Sequence, residues 1–120
     1  STLKEAQPGE SSAAMRARVI KARAIQQHRF AEYNATAQNP IHCNAQMPPK
    51  LVREFCQLDA QGDKMLSYAM DKMGLSSRAY DPILKVARTI ADIDGSEAIQ
   101  MQHISEAIGY RSLDREDWIG

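Results

Sequence analysis

The chain has 120 residues, 43% of them hydrophobic and only 6% aromatic, and its 15 Lys and Arg offset its 15 Asp and Glu. A chain of this length buries roughly two-thirds of its unfolded surface, enough for one domain without metal or disulfide staples. The 17 Ala, against few Val, Thr and Gly, favour helices over strands, so the expected fold class is an all-α bundle.

In chain order, residues 1–10 contain Pro8 and Gly9 and no apolar periodicity, and read as a linker or disordered arm. A first helix begins with Ser11 or Ser12 as N-cap and runs to about Tyr33, with Met15, Val19, Ala22, Phe30 and Tyr33 as its apolar stripe. Residues 34–48 hold three Asn and the Pro48-Pro49 pair, a loop long enough to suggest a functional or mobile segment. Pro49 suits the first position of a short helix to about Leu58, with Leu51, Val52, Phe55 and Cys56 at helical spacing. Asp59 reads as a cap or turn before a third helix, about Ala60 to Met73, which Gly74 ends as a left-handed residue. A fourth helix between Ser76 and about Asp92 places Ile83, Val86, Ala87, Ile90 and Ala91 inward. After a turn around Gly95, a fifth, about Gln102 to Tyr110, buries Ile104, Ala107 and Ile108. The expected architecture is a five-helix bundle over residues 11–115, with 116–120 as a tail.

No run approaches the roughly 18 consecutive apolar residues of a membrane span, and no signal-peptide core follows the N-terminus. No membrane partner is therefore expected, and a cytoplasmic location is. The opening Ser-Thr without an initiator Met suggests processing or a piece of a longer polypeptide. Cys43 and Cys56 lie in separate segments and suit a reducing compartment, with a Cys43–Cys56 bridge as the alternative.

Charge is segregated. Residues 1–33 hold six bases against three acids, and residues 88–120 hold three bases against seven acids. Between Ser11 and Ala31 lie Arg16, Arg18, Lys21, Arg23 and Arg29 with no acid among them. Such a run is either a solvated face whose bases meet acids of the C-terminal third, or a surface for phosphate or an acidic neighbouring subunit.

Catalytic constellations are missing. The six glycines are isolated, so there is neither a GxxxxGK[ST] phosphate loop nor a GxGxxG fingerprint, and the chain by itself has no means of cradling a triphosphate. His28, His42, Cys43, Cys56 and His103 lack metal-ligand spacing, and no metal site is expected. The most informative segment is Leu75-Ser76-Ser77-Arg78-Ala79-Tyr80, where an arginine opens a helix whose N-terminal dipole favours an anion. By residue type alone, Arg78 is a surface arginine, a cap partner or a bidentate phosphate ligand.

Three stretches narrow these alternatives: Glu10 through Val19 (ESSAAMRARV); Leu75 through Tyr80 followed by Lys85-Val86-Ala87-Arg88-Thr89-Ile90-Ala91-Asp92; and His103 through Arg111 (HISEAIGYR). Together with the spacer Cys56-Gln57-Leu58-Asp59, they resemble the C-terminal domain of magnesium-chelatase-related, ComM-type AAA+ ATPases over about residues 9–115. The resemblance implies a helical lid packed beside the AAA+ core domain of the same chain, in a hexamer with neighbouring subunits. It implies that Arg78 matches the sensor-2 arginine, which reaches the γ-phosphate of ATP. ATP with Mg2+ would then be bound only in the full-length protein and not by this stretch alone. The family's best-known activity is ATP-driven branch migration on DNA, while more distant chelatase relatives insert magnesium into a porphyrin. Arg88 follows Arg78 by ten residues, which at about 100° per residue puts it on another face if one helix holds both, and it reads as a structural or interface charge.

Asp81-Pro82 departs from the family, which commonly carries a non-proline residue at the second position. Either a helix starting at Ser76 is kinked at Pro82, or Asp81 caps a helix whose first residue is Pro82, leaving Arg78 in the preceding turn. The alternative function is an independent helical module that binds DNA or an acidic protein through the basic first helix. Arg16, Arg18, Lys21 and Arg23 point to several sides, however, and not to one groove-facing strip.

Overall fold

The computed structural model describes residues 11–119, with side chains described over 11–110. The expected arm, residues 1–10, lies outside the described residues. Five helices, with no strand among the described residues, follow one another: α1 (Ser12–Thr36), α2 (Pro49–Phe55), α3 (Ala60–Lys72), α4 (Tyr80–Ile93) and α5 (Met101–Ile119). Short 3-10 turns at Asn44–Gln46 and Ser77–Ala79 precede α2 and α4. The all-α expectation therefore holds, with four boundary corrections. The first helix continues to Thr36, the second stops at Phe55 and not Leu58, the fourth starts at Tyr80 and not Ser76, and the fifth runs past Tyr110, where the apolar periodicity fades, to Ile119.

Local chemistry accounts for the element ends. Ser11 caps α1, its hydroxyl accepting from the Ala14 amide at 3.0 Å. Pro49 opens α2 where its missing N–H goes unneeded. Asp59 caps α3 by accepting from the Gly62 amide at 2.7 Å. Both α3 and α4 end in Schellman motifs. Gly74 (φ 68°) and Gly95 (φ 75°) supply the left-handed residue, and the Leu75 and Ser96 amides donate back to the Met70 and Ala91 carbonyls at 2.9 and 2.8 Å.

The core forms around α4, which packs against α1, α2, α5 and both 3-10 turns, while α3 packs on α5. Ile83, Leu84, Ala87, Ile90 and Ala91 are all buried on α4; a helix apolar over so wide an arc belongs at the centre. Phe30 from α1, Leu66 from α3 and Ile104 from α5 close the core, and the Phe30 ring meets Phe55 edge-on at 6.0 Å. Cys43 is exposed and Cys56 buried, both as free thiols. No helix among the described residues is long and apolar enough to cross a membrane.

Candidate functional site

Arg78 occupies the middle of the 3-10 turn Ser77–Ala79. Its neighbour Ala79 is buried, whereas Arg78 itself is exposed and makes no hydrogen bond or ion pair among the described residues. Pro82 is the third residue of α4, inside the first turn, where a missing N–H costs no helical bond. Of the two geometries expected at Asp81-Pro82, the one with Arg78 in a preceding turn is therefore found. It is reached differently: the helix starts at Tyr80, Ala79 is its N-cap without a side-chain bond, and Asp81 lies in the first turn.

One side-chain bond ties this junction to the rest of the protein. Tyr80 Oη donates to Asp63 Oδ1 on α3 at 2.7 Å. Desolvation, reinforced by the Asp63 and Asp81 charges, pushes the tyrosine hydroxyl up to about 12, so it remains a donor at any physiological pH. Tyr80, Asp63 and Asp81 line a cleft of about 370 Å³ together with Arg53, Gln57 and Cys56.

The second arginine of the motif pair has a different environment. Arg88 is 4% exposed, donates from Nε to Asp92 Oδ1 at 3.2 Å, and donates through its terminal nitrogens to the Glu97 and Ser96 carbonyls at 2.9 and 2.7 Å. Desolvation lowers its pKa against the opposing pull of Asp92. Asp92 is also held by Arg29 of α1, whose two terminal nitrogens reach its oxygens at 2.8 and 2.7 Å. Asn44, fully buried, donates to Asp92 Oδ2 at 2.8 Å, accepts from Arg29 at 2.9 Å, and bonds Thr89 Oγ1 at 3.1 Å. Gln26 accepts the Asn44 backbone amide at 3.1 Å. This polar hub joins α1, the 34–48 segment, α4 and the α4–α5 turn, and gives Arg88 a structural place.

The early bases are split by the fold. Arg29 turns into the hub; Arg16, Lys21 and Arg23 are exposed on α1; Arg18 is half-buried. No described hydrogen bond or ion pair joins them to Arg78. Sequence reading missed Arg29, Asn44, Asp63 and Tyr80 as specific partners; its signals were the helical i, i+4 spacing of Arg88 and Asp92 and the general expectation that early bases meet late acids. Among the described residues, no three His, Cys, Asp or Glu cluster in a way that could hold a metal ion. His103 instead serves α5 locally. Its Nδ1 accepts from the Gln100 amide at 2.9 Å, so the proton sits on Nε2, 3.0 Å from Asp94 Oδ2.

Comparison with known proteins identifies the family. Residues 9–111 match the family model described as magnesium chelatase, subunit ChlI C-terminal. The chain is 43% identical over 108 residues to the uncharacterized protein YifB of Escherichia coli, covering 90% of this chain and 19% of that protein. It is 40% identical over 107 residues to the competence protein ComM of Haemophilus influenzae, covering 89% of this chain and again 19% of the relative. The chain thus spans about a fifth of the length of these relatives. With helices α1 to α4, the start of α5, the Arg78 turn and the Arg88–Asp92 hub inside the matched span, the chain belongs to the magnesium chelatase ChlI C-terminal family.

Proposed function

We propose that this domain is the lid of an AAA+ ATP-hydrolysing motor, and that Arg78 is the sensor-2 arginine that contacts the γ-phosphate of ATP bound by a core elsewhere in the same polypeptide. The observation that carries this reading is the contrast between the two motif arginines. Arg88 is committed to internal partners, while Arg78 is exposed, without a partner among the described residues, on a turn that is fixed at both ends. A single mobile-tipped cation on a rigid base suits one contact with a phosphate arriving from outside. It does not suit holding a nucleotide: the sequence has no phosphate loop, and the described residues have no metal cluster. ATP with Mg2+ would accordingly sit on the core, and this domain would contribute the guanidinium.

Phosphoryl transfer is accelerated chiefly by positioning and by cations aimed at developing charge. A lid whose arginine touches the γ-phosphate also loses a contact when that phosphate leaves, which turns hydrolysis into movement. In this domain, movement of Arg78 would pass straight into α4, the helix that nearly every other element packs on. The resemblance to ComM-type ATPases favours DNA over a porphyrin as the object of the work, and the exposed Arg16, Lys21 and Arg23 offer charge of the right sign for phosphates or for an acidic neighbouring subunit of a hexamer. Such a motor would act in the cytoplasm.

In the full-length protein, Arg78→Ala should lower ATP turnover by about 100-fold or more, the usual scale for removing one preorganised charge donor. The isolated domain carrying the same change should keep its helical circular dichroism and melting temperature, because Arg78 holds no internal contact. Near-normal turnover in the variant would remove the sensor assignment.

A further inference from the structure

We infer that Tyr80 and Asp63 are positioning residues that fix the direction in which Arg78 points; the inference rests on the sensor reading above. The reasoning begins with what holds the Ser76–Asp81 junction. Its incoming side is set by the Schellman motif at Gly74, and the 3-10 turn contributes two backbone bonds, from the Ala79 amide to the Ser76 carbonyl at 3.0 Å and from the Tyr80 amide to the Ser77 carbonyl. Burial of Ala79 fixes the turn against the core. Its outgoing side has that Tyr80 amide bond but no side-chain cap, because the N-cap of α4 is an alanine with no side-chain acceptor. Among the described residues, the Tyr80–Asp63 bond is the one side-chain hydrogen bond made anywhere from Leu75 to Pro82.

That bond has the properties of a restraint more than of a fold stabiliser. It is a hydroxyl-to-carboxylate bond at 2.7 Å, hence charge-assisted and directional. Asp63 lies in the first turn of α3, where the helix dipole favours its negative charge. The Asp63 side chain is exposed, so water competes for it and its removal leaves no orphaned buried group. Tyr80 keeps its ring packed on the core whether or not the hydroxyl is present. The bond therefore spans α3 and α4 at the corner where Arg78 sits, two residues from the anchored tyrosine. A long side chain on that corner amplifies any rotation of the α4 first turn. Misplacing a reacting group by 1 Å can lower a rate by about 100-fold.

The test uses the full-length ATPase and compares Tyr80→Phe, Asp63→Ala, Asp63→Asn and Arg78→Ala. Tyr80→Phe and Asp63→Ala should each lower kcat by about tenfold, with KM for ATP and the melting temperature little changed, as expected for a loss of orientation without loss of the contact. Asp63→Asn, whose Oδ1 still accepts the tyrosine proton, should recover most of that loss. Adding Tyr80→Phe to Arg78→Ala should cost nothing more, since there is no longer an arginine to aim. If Arg78→Ala abolishes turnover while Tyr80→Phe and Asp63→Ala leave kcat within twofold, the positioning role is overturned and the sensor reading stands. If Tyr80→Phe lowers kcat equally with and without Arg78, the pair acts on the fold and the inference is again overturned. Near-normal turnover in Arg78→Ala removes the sensor reading itself.

Discussion

Arg88 and Cys56 lie close enough in the core to influence each other's charge, and burial sets the behaviour of both. Arg88 stays charged because its donors are met by Asp92 and two carbonyls, and a buried guanidinium without such partners is rarely tolerated. The motif that contains it was legible as a motif, but its placement relative to Arg78 assumed one helix holding both, whereas Arg78 lies in the turn before α4. Its partners were not legible, because the Ser96 and Glu97 carbonyls belong to a turn that no side-chain pattern reports. The Cys56 thiol makes no hydrogen bond among the described residues, and desolvation moves its pKa from 9.0 to about 11, opposed by Arg88 and Arg29 and assisted by Asp92 and Asp81. The sign follows from linkage. Below about pH 9 the thiol is protonated in both states and its contribution is fully present; between 9 and about 11 only the unfolded chain releases the proton, so stability falls. The slope approaches about 1.4 kcal/mol per pH unit in that window. Urea midpoints measured from about pH 8 to about pH 10.5 should therefore fall more steeply for the native sequence than for Cys56→Ala, and parallel slopes would contradict a buried thiol of this kind.

At the scale of elements, the helices were readable and the segment between α1 and α2 was not. Periodicity located all five helices, since each buries one stripe: Leu66 and Met70 on α3, or Ile104 and Ala107 on α5. Residues 34–48 have loop composition, and composition alone suggests mobility. In the structure, however, Asn34 binds both the amide and the carbonyl of Ile41, at 2.9 and 2.7 Å, in the manner of a strand pair. Ile41 and Met47 are buried, and Asn44 is completely so. The asparagines that spell a loop are the side chains that replace missing backbone bonds with specific ones. Asn44→Ala strips partners from Arg29, Thr89 and Asp92 at once. It should cost about 2–4 kcal/mol of unfolding free energy in urea titration, against about 0.5 kcal/mol for a solvated loop position. A neutral result would mean that the segment is not part of the folded unit.

Across the whole molecule, the segregation of early bases from late acids has a clear physical expression: Arg29 and Asp92, 63 positions apart, form a two-pronged ion pair. The solvated-face reading of the basic run anticipated such a meeting of bases with late acids, but spacing within one helix could not single out Arg29, because Arg18 and Lys21 share its side of the wheel. Only the tertiary crossing of α1 over α4 distinguishes them. The consequence is that one carboxylate, 3% exposed, balances two largely buried guanidiniums and an asparagine drawn from three separate parts of the chain. Removing it uncovers Arg29 and Arg88 together. Breaking a buried pair from one side costs about 3–5 kcal/mol, a large share of the stability of a domain this size. Asp92→Ala should therefore lower the melting temperature sharply and, in hydrogen exchange, reduce amide protection in α1, residues 34–48 and α4 to the same degree, since all three depend on the same centre. Protection lost only in the last turn of α4 would show instead that Asp92 serves its own helix end, and that the early and late halves of the chain are held together by apolar packing alone.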